Sequence, residues 1–526
     1  MLDQTAAHTA PQNPTDTGSP TSWEDQPLYA AQKKIYPKRV RGDFRRLKWL
    51  IMAITLSIYY ITPWLRWDRG PYAPDQAVLV DMANRRFFFF FIEIWPQEFF
   101  FVAGLLVMAG VGLFLVTSVV GRAWCGYACP QTVWTDLFLA VERFFQGNRN
   151  TRIKLDSQPW RMKKIAQKTA THATWLLIAV ATGGAWIFYF ADAPTLLGDF
   201  VSGDAAFVAY ATVGVLTFTT YSLGGLMREQ VCIYMCPWPR IQAAMLDEDS
   251  LVVTYQDWRG EPRTKGAKKA AAAGQAAGDC VDCNACVAVC PTGVDIRDGQ
   301  QLGCITCALC IDACNDIMDK LDRPRGLISY ATLRDYNHNM ALASGGAAQS
   351  GGGYSIDPSN VRTATGGFVD GVRHFDWRIF FRPRTLIYFG FWAAIGLGLL
   401  FALGQRDRLD INVQHDRNPV HVLLSDGSIR NGYTVKLLNM VPEPRTIVLS
   451  LEGLPGAVMA INGLEAPHSR TAYIPVDPDK LRALRVFVSQ PPEQLISGST
   501  KFRFVAKDKQ SAETDSYNAV FEAPQK

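Results

Sequence analysis

Five long stretches of the chain are almost free of charge: Trp49 to Leu65, Phe99 to Val120, Thr174 to Ala191, Ala206 to Leu223 and Thr385 to Gly404. Each approaches the roughly 20 residues that cross a bilayer core, so the pattern predicts five membrane spans. Buried helices of a soluble protein would have to be apolar on every face to read the same way. The shorter run Phe87 to Trp95 is separated from the next span by Pro96 and is too short to cross alone. It reads as interfacial or re-entrant, with Glu93 and Glu98 either reaching water or serving a proton, quinol or metal site. Gln131 to Gln146 sets Trp134, Leu137, Phe138, Val141, Phe144 and Phe145 at helical spacing, which predicts an amphipathic helix on the membrane surface. From about residue 409 the period changes. The runs Val420 to Leu424, Thr434 to Leu438, Thr446 to Leu451 and Lys501 to Val505 alternate or carry branched residues, with turn signals at Asp426-Gly427, Asn431-Gly432 and Asn462-Gly463, a β-sandwich pattern.

Composition adds little until it is divided along the chain, because a mean hydropathy of +0.01 averages unlike parts. Residues 1–28 are polar and lack the apolar core of a signal peptide, so insertion must rest on the spans. The net charge of +5 is small, and the basic residues flank the spans rather than forming an exposed basic stripe; no nucleic-acid partner is suggested. Lys33, Lys34, Lys38, Arg39, Arg41, Arg45, Arg46 and Lys48 precede the first span, and Arg143, Arg149, Arg152, Lys154, Arg161, Lys163 and Lys164 lie between the second and third. The loop 192–205 has no Lys or Arg. These biases predict a cytoplasmic N-terminus, a cytoplasmic insert over 226–384 and an exported tail after 404. Arg66, Arg69, Arg85 and Arg86 in the first outer loop weaken the bias without reversing it. The Lys/Ala/Gly stretch 264–278 and the Gly/Ser/Ala-rich stretch 342–353 read as flexible brackets around a small domain.

The chemistry lies in twelve cysteines that fall into three groups, none of them in the tail. A disulfide framework does not fit thiols on the reducing side of a membrane. Cys280, Cys283, Cys286 and Cys290-Pro291, then Cys304, Cys307, Cys310 and Cys314, repeat the spacing C-x2-C-x2-C-x3-C of two-cluster ferredoxins. In that arrangement the fourth cysteine serves the other cluster, so one set is Cys280, Cys283, Cys286 and Cys314, and the second is Cys304, Cys307, Cys310 and Cys290. Paired structural zinc sites are the rival, but they do not usually draw three ligands from one such turn. Asn315 stands where a proline would follow the last cysteine. The other two groups form an internal repeat, Cys125-x3-Cys129-Pro130 and Cys232-x3-Cys236-Pro237, each closing a pair of spans and each holding a tyrosine, Tyr127 or Tyr234. Cysteines four apart on a helix share a face, so the four thiols could meet as one site for Cu(I), zinc or an iron-sulfur centre. Small apolar cysteines at home in helices are the plainer account. Of the histidines, His8, His172, His338, His374, His415, His421 and His468, only His172 adjoins a span, which excludes a bis-histidine haem in the bilayer. His415, His421, Met440 and Met459 in the tail read as ordinary surface or core residues before they read as copper ligands.

Trp95-Pro96-Gln97, the run Gly121 to Thr132, the run Arg228 to Pro237 and the block from Cys280 together resemble the FixG/CcoG/RdxA family over nearly the whole chain. The resemblance implies an accessory protein for assembly of cbb3-type cytochrome c oxidase in the bacterial inner membrane, with a periplasmic C-terminus. It implies two [4Fe-4S] clusters and reduction of Cu(II) to Cu(I), with Cys125, Cys129, Cys232 and Cys236 as copper or electron-relay ligands. Its partners would be the oxidase or its copper-delivery factors and a cytoplasmic electron donor. A quinone-linked electron-transfer subunit and a non-enzymatic assembly scaffold are the alternatives. The expected fold is a multi-domain membrane protein. A disordered leader (1–47) precedes a four-span membrane part with both Cys-x3-Cys-Pro motifs (48–246), followed by an inserted α+β two-cluster ferredoxin-like domain (265–335). A linker (336–384), the fifth span (385–404) and an all-β immunoglobulin-like sandwich (409–526) complete the chain.

Overall fold

The computed structural model describes residues 34–266, 277–345, 358–363, 368–464, 469–495 and 497–524. Most of the predicted leader, the middle of the 264–278 stretch, the greater part of 342–353 and His468 lie outside the described residues.

Among the described residues four helices are long and apolar enough to cross a membrane: Pro96–Val120, Met162–Ile187, Phe207–Met235 and Pro383–Gly404. The chain is a multi-pass membrane protein. The first predicted crossing, over Trp49 to Leu65, falls on the helix Asp43–Ile61, which is not among these four; its first turns carry Asp43, Arg45, Arg46 and Lys48. Two of these charges are buried against protein. Arg45 donates to both oxygens of Asp136 at 2.9 and 2.8 Å, and Lys48, 2% exposed, lies 3.9 Å from the same carboxylate. Beyond them Leu50, Ile54, Ile58 and Ile61 form an exposed apolar stripe at helical spacing. The far end of this helix meets that of Met162–Ile187, where Tyr189 Oη donates to Tyr59 O at 3.0 Å. It therefore runs beside the spans from one face to the other, with only its second half apolar.

Small residues set the helix packing, as they do where helices attract one another without a hydrophobic driving force. A Cβ on Gly104 would lie 2.6 Å from Leu399 Cδ2, so Phe99–Val120 and Pro383–Gly404 approach closely. A Cβ on Gly183 would lie 2.9 Å from Val213 O, where Met162–Ile187 meets Phe207–Thr219. The helix Pro130–Gln146 forms where its pattern predicts and packs against Met162–Ile187 and the widened π-helical turns Thr220–Met227, with Phe138 stacked on Trp175 at 5.4 Å. Phe138 of its apolar stripe faces protein, while Phe144 of the same stripe is 82% exposed.

The run Phe87 to Trp95 belongs to an antiparallel sheet of Val78–Asp81, Arg86–Phe89 and Ile92–Ile94 in that order, with Phe89 and Phe91 exposed. Arg85 and Phe90 take positive φ, 58° and 53°, at its two turns. At the opposite face of the membrane part the chain builds a small domain from two cysteine loops, each leading into a helix, Ala285–Val289 and Leu309–Lys320. The antiparallel pair Val252–Tyr255 and Ile328–Ala331 closes it. The predicted linker 336–384 is partly ordered: Leu333–Ala343 packs through Met340 and Ala343 on Trp258 and Val361, and Asn339 exchanges hydrogen bonds with the Arg373 backbone.

The C-terminal part is two antiparallel sheets. One orders Val458–Ile461, Leu481–Gln490, Ile429–Asn439 and Leu409–His415, with Val422–Leu423 beside Ile429–Asn439. The other orders Thr471–Val476, Arg445–Glu452, Gly498–Asp508 and Thr514–Ala523. Alternate residues such as Tyr433, Val435, Leu437, Ile447 and Leu449 fill the core between them. The predicted turn at Asn431-Gly432 falls inside a strand instead. Asn431 is fully buried and ties to the backbone of Glu522, and a Cβ on Gly432 would lie 2.2 Å from Asp416 Oδ2.

Arg86 joins this domain to the membrane part, contacting Glu93 at 3.0 Å and Asp479 at 2.8 Å, while Arg406 donates to Glu93 O at 2.6 Å and lies 3.4 Å from Glu98. Burial, with Asp479 adding to it, pushes the Glu93 carboxyl up to about 7 against the pull of Arg86 and Arg406. A carboxyl raised by folding favours the folded state while protonated, so its stabilisation is complete below the ordinary value of 4.5 and is lost as pH rises through about 7. The loss is on the order of 3 kcal/mol. The melting temperature of the full-length protein should fall between pH 5 and 8, and fall less steeply in Glu93→Gln; equal slopes would contradict the assignment.

Candidate functional site

The two cysteine loops have the same backbone. Asp282 and Asn284 take φ of 49° and 55°, and Thr306 and Ala308, at the same offsets from the first cysteine of their loops, take 55° and 59°. Left-handed residues at such positions turn successive N–H groups inward into an anion-accepting nest. In the first loop Arg297 holds both of them, reaching Asp282 Oδ1 at 2.6 Å and Asn284 Oδ1 at 2.5 Å while pairing with Asp295. In the second, Tyr330 Oη donates to Thr306 O at 3.0 Å.

One cavity is lined by Cys280, Cys283, Cys286 and Cys314, with Arg297 at its wall. A second is lined by Cys290, Cys304, Cys307 and Cys310, with Cys286 at its edge. Each thus takes three cysteines from one loop and the fourth from the other. Burial pushes the thiols up, Cys286 to about 11 and Cys304 and Cys314 to about 12. Without a bound cation these groups would stay protonated; iron supplies the positive charge that holds them as thiolates. The nest backbone, the four-thiol cavities and the soft donor set fit a cubane cluster in each. Among the described residues no three His, Cys, Asp or Glu side chains are drawn together as a single ion requires.

The membrane motifs depart from the helical picture in one respect. Cys129 and Cys236 have extended backbone, φ/ψ of −60°/129° and −81°/122°, because each precedes a proline, which disfavours the helical region for the residue before it. Each second cysteine is therefore a hinge between two helices, not the next turn of one. The repeat is otherwise kept to the backbone: Gly121 and Arg228, each four residues before the first cysteine, take positive φ of 60° and 33° where the preceding span ends. Cys232 sits in a π-helical turn, Val231–Met235.

The first motif docks on the second cluster loop. Cys125 shares an apolar cluster with Ile305, Cys307 and Leu309, and Cys232 and Cys310 pack against it. Arg122 Nη1 donates to Leu302 O at 2.6 Å and Cys304 O at 3.1 Å, and Tyr127 Oη donates to Cys307 O at 3.2 Å. A Cβ on Gly126 would lie 2.7 Å from Ile305 O. The Cys125 thiol donates to Gln242 Oε1 at 3.0 Å. Burial pushes it to about 12, and neighbouring charge on Cys129, Cys232 and Cys236 adds to the shift, so the four thiols lie within electrostatic reach of one another. In the second motif Tyr234 and Cys236 are exposed. Of the residues outside the cysteines, Arg122, Gly126, Arg297 and Tyr330 carry the docking and loop geometry. Tyr127 alone had a signal in spacing, through its match to Tyr234. In the tail, His415 is bonded to Asn431 and Met459 is 2% exposed core.

A "4Fe-4S dicluster domain" family model matches residues 227–333, a "4Fe-4S binding domain" model 100–151, and an "IG-like fold at C-terminal of FixG" model 399–524. The chain is 66% identical over 498 residues to nitrogen fixation protein FixG of Rhizobium meliloti, covering 95% of this chain and 94% of that one. It is 55% identical to protein RdxB of Cereibacter sphaeroides, covering 85% and 90%, and 50% identical to protein RdxA of the same organism, covering 89% and 91%. With its cysteine-lined cavities and apolar helices, it is a membrane-associated iron-sulfur electron-transfer protein.

Two substitutions should separate the two loops. Gly126→Val forces the first motif off Ile305 and should disrupt the second cluster, lowering bound iron by about half while the first remains. Arg297→Leu removes charged hydrogen bonds worth on the order of 2–3 kcal/mol each and should disrupt the first cluster alone. Iron analysis with paramagnetic resonance reads both; loss of the same signal in each would contradict the division.

Proposed function

The chain belongs to the FixG family, and on that premise we propose that it reduces Cu(II) to Cu(I) for assembly of a cbb3-type cytochrome c oxidase, with Cys125, Cys129, Cys232 and Cys236 receiving the metal. The observation that carries this reading is the contact of Cys125 and Cys232 with Cys307 and Cys310, which sets the membrane thiols directly against one cluster site and not the other. Bound clusters, held by Cys280, Cys283, Cys286 and Cys314 and by Cys290, Cys304, Cys307 and Cys310, supply one-electron storage.

The chain's own residues do the rest. Cys283 is exposed at the first site, which suits entry of electrons from a soluble donor. Arg122 and Tyr127 fix the second loop by its carbonyls against the membrane motif. Cys236, exposed, and Cys129, at its hinge, offer soft donors that favour Cu(I) over Cu(II) once an electron arrives. A cluster held at the second site would supply one electron for each copper ion reduced, and the thiolates of Cys125, Cys129, Cys232 and Cys236 would keep the Cu(I) bound until transfer. The basic residues before Trp49 and between the second and third predicted spans support a cytoplasmic N-terminus in the bacterial inner membrane, which gives the sandwich a periplasmic position near the oxidase.

A quinone-linked reading draws on a separate feature, an apolar cavity of about 900 Å³ between helices, lined by rings including Tyr60, Trp64, Phe188, Tyr210 and Tyr221.

Protein with chemically reduced clusters, mixed anaerobically with Cu(II) and a Cu(I)-specific chelator, should form Cu(I) in proportion to the cluster electrons consumed. Replacing all four membrane cysteines by alanine should lower that rate at least tenfold with iron content unchanged. Full activity in that variant would sink the copper reading, and reoxidation that requires added quinone would favour the second.

A further inference from the structure

On the face of the membrane part that carries the cysteine motifs, a cavity of about 620 Å³ opens beside the start of the helix Asp43–Ile61. Its lining includes five arginines, Arg39, Arg41, Arg45, Arg46 and Arg143. The acidic groups around it are few and already engaged. Asp136 accepts from Arg45 and faces Lys48, Asp43 lies 3.7 Å from Arg46, and Glu142 on the same helix as Arg143 is paired with Arg152 at 2.8 Å and Arg228 at 3.0 Å.

Two guanidinium nitrogens have no partner. Arg45 is 7% exposed, and its Nη2 is buried without a hydrogen bond although Nη1 is saturated by Asp136. Arg143 Nε is likewise buried and unpartnered. Burial, with the like charges of Arg45 and Arg152, lowers the Arg143 guanidinium to about 10 against Asp136 and Glu142. Leaving charged donors buried and unmatched costs more than leaving neutral ones so. An anion with several acceptor oxygens answers both, and the planar fork of arginine suits a phosphate.

The surroundings say what the anion is attached to. Trp49 and Phe144 line the same cavity, are 40% and 82% exposed, and Arg45 lies 4.8 Å over the Trp49 ring. At the next position Leu50 begins the exposed apolar stripe that continues through Ile54 and Ile58. Cationic groups thus give way to hydrocarbon along one helix, with a tryptophan at the boundary, as at a membrane interface. A free anion would use the arginines and leave the apolar rim without a role.

We propose that this cavity binds the phosphodiester headgroup of an anionic phospholipid, with Arg45 and Arg143 on the phosphate oxygens and Trp49 and Phe144 against the acyl chains. The site holds the helix whose charged first turns fall short of a full span, and it stands whether or not copper is the substrate.

The test is native mass spectrometry on full-length, delipidated protein titrated separately with phosphatidylglycerol, phosphatidylcholine and inorganic phosphate. Phosphatidylglycerol should bind in preference to phosphatidylcholine and should not be displaced by equimolar phosphate. Arg41 and Arg46 are exposed, so the double variant Arg41→Gln/Arg46→Gln keeps the buried pair with Asp136 and should weaken phosphatidylglycerol roughly fivefold per guanidinium removed. Phe144→Asp, at an exposed position, should weaken it independently, with iron content reporting that both variants are folded. Equal binding of the two lipids, or unchanged binding in the folded variants, would overturn the site; displacement by phosphate would make it a free-anion site and overturn the lipid.

Discussion

Carbonyl oxygens on the second cysteine loop, partly or fully withdrawn from water, govern the rest of the architecture. Leu302 O, Cys304 O, Thr306 O and Cys307 O are all turned toward protein, and each receives a donor, from Arg122, Tyr330 or Tyr127. An unmatched buried acceptor costs about 1–3 kcal/mol, so losing several together would exceed what a small domain can spare. Tyr330 of the small domain serves Thr306 O, but the other three take their donors from the first membrane motif, and the loop lies close there because residue 126 has no side chain. Once it is docked, Asp312 reaches the start of the helix Asp43–Ile61 and accepts from Arg45 N at 2.8 Å, in place of a cap that Gly42 cannot provide. Arg45 and Lys48 in the first turns of that helix are then covered by protein and paired with Asp136, which is why those positions do not have to be apolar.

The same constraint explains why an internal repeat ends in two unlike halves. The backbone breaks at Gly121 and Arg228 and the hinges at Cys129 and Cys236 are matched, as the paired proline positions require. The side chains are not. Tyr127 is 7% exposed and spends its hydroxyl on the cluster loop, whereas Tyr234 is 74% exposed. The small domain encloses the first motif and touches the second through Cys232, leaving Tyr234 and Cys236 of the second open.

The cysteine block was legible because its ligand spacing is dictated by the cluster and not by neighbours; the eight thiols line two adjoining cavities, with Cys286 lining both. The sandwich was legible from its alternation, apart from Asn431-Gly432, where a turn dipeptide serves instead to link two sheets and admit Asp416. Phe87 to Trp95 and Gln131 to Gln146 read as membrane-contacting, yet each also packs on protein: Phe88 is 1% and Phe138 0% exposed, while Phe91 and Phe144 stay open at 72% and 82%. Hydropathy reports that a side chain avoids water without saying whether lipid or protein excludes it. Arg122 and Arg297 were invisible as site residues for a related reason: their partners are backbone carbonyls or loop side chains whose positions exist only after folding.

Exposure along the cysteine sets gives the arrangement a direction. Cys283 at the first cavity is open to solvent, Cys307 at the second is 7% exposed, and Cys125 beyond it is 9% exposed before the series opens again at Cys236. Burial makes each interior thiolate costly on its own, as the raised positions of Cys304, Cys314 and Cys125 show. Without a cation the interior thiols stay protonated; held as thiolates they need a bound cation, whereas Cys283 and Cys236 at the two ends meet solvent.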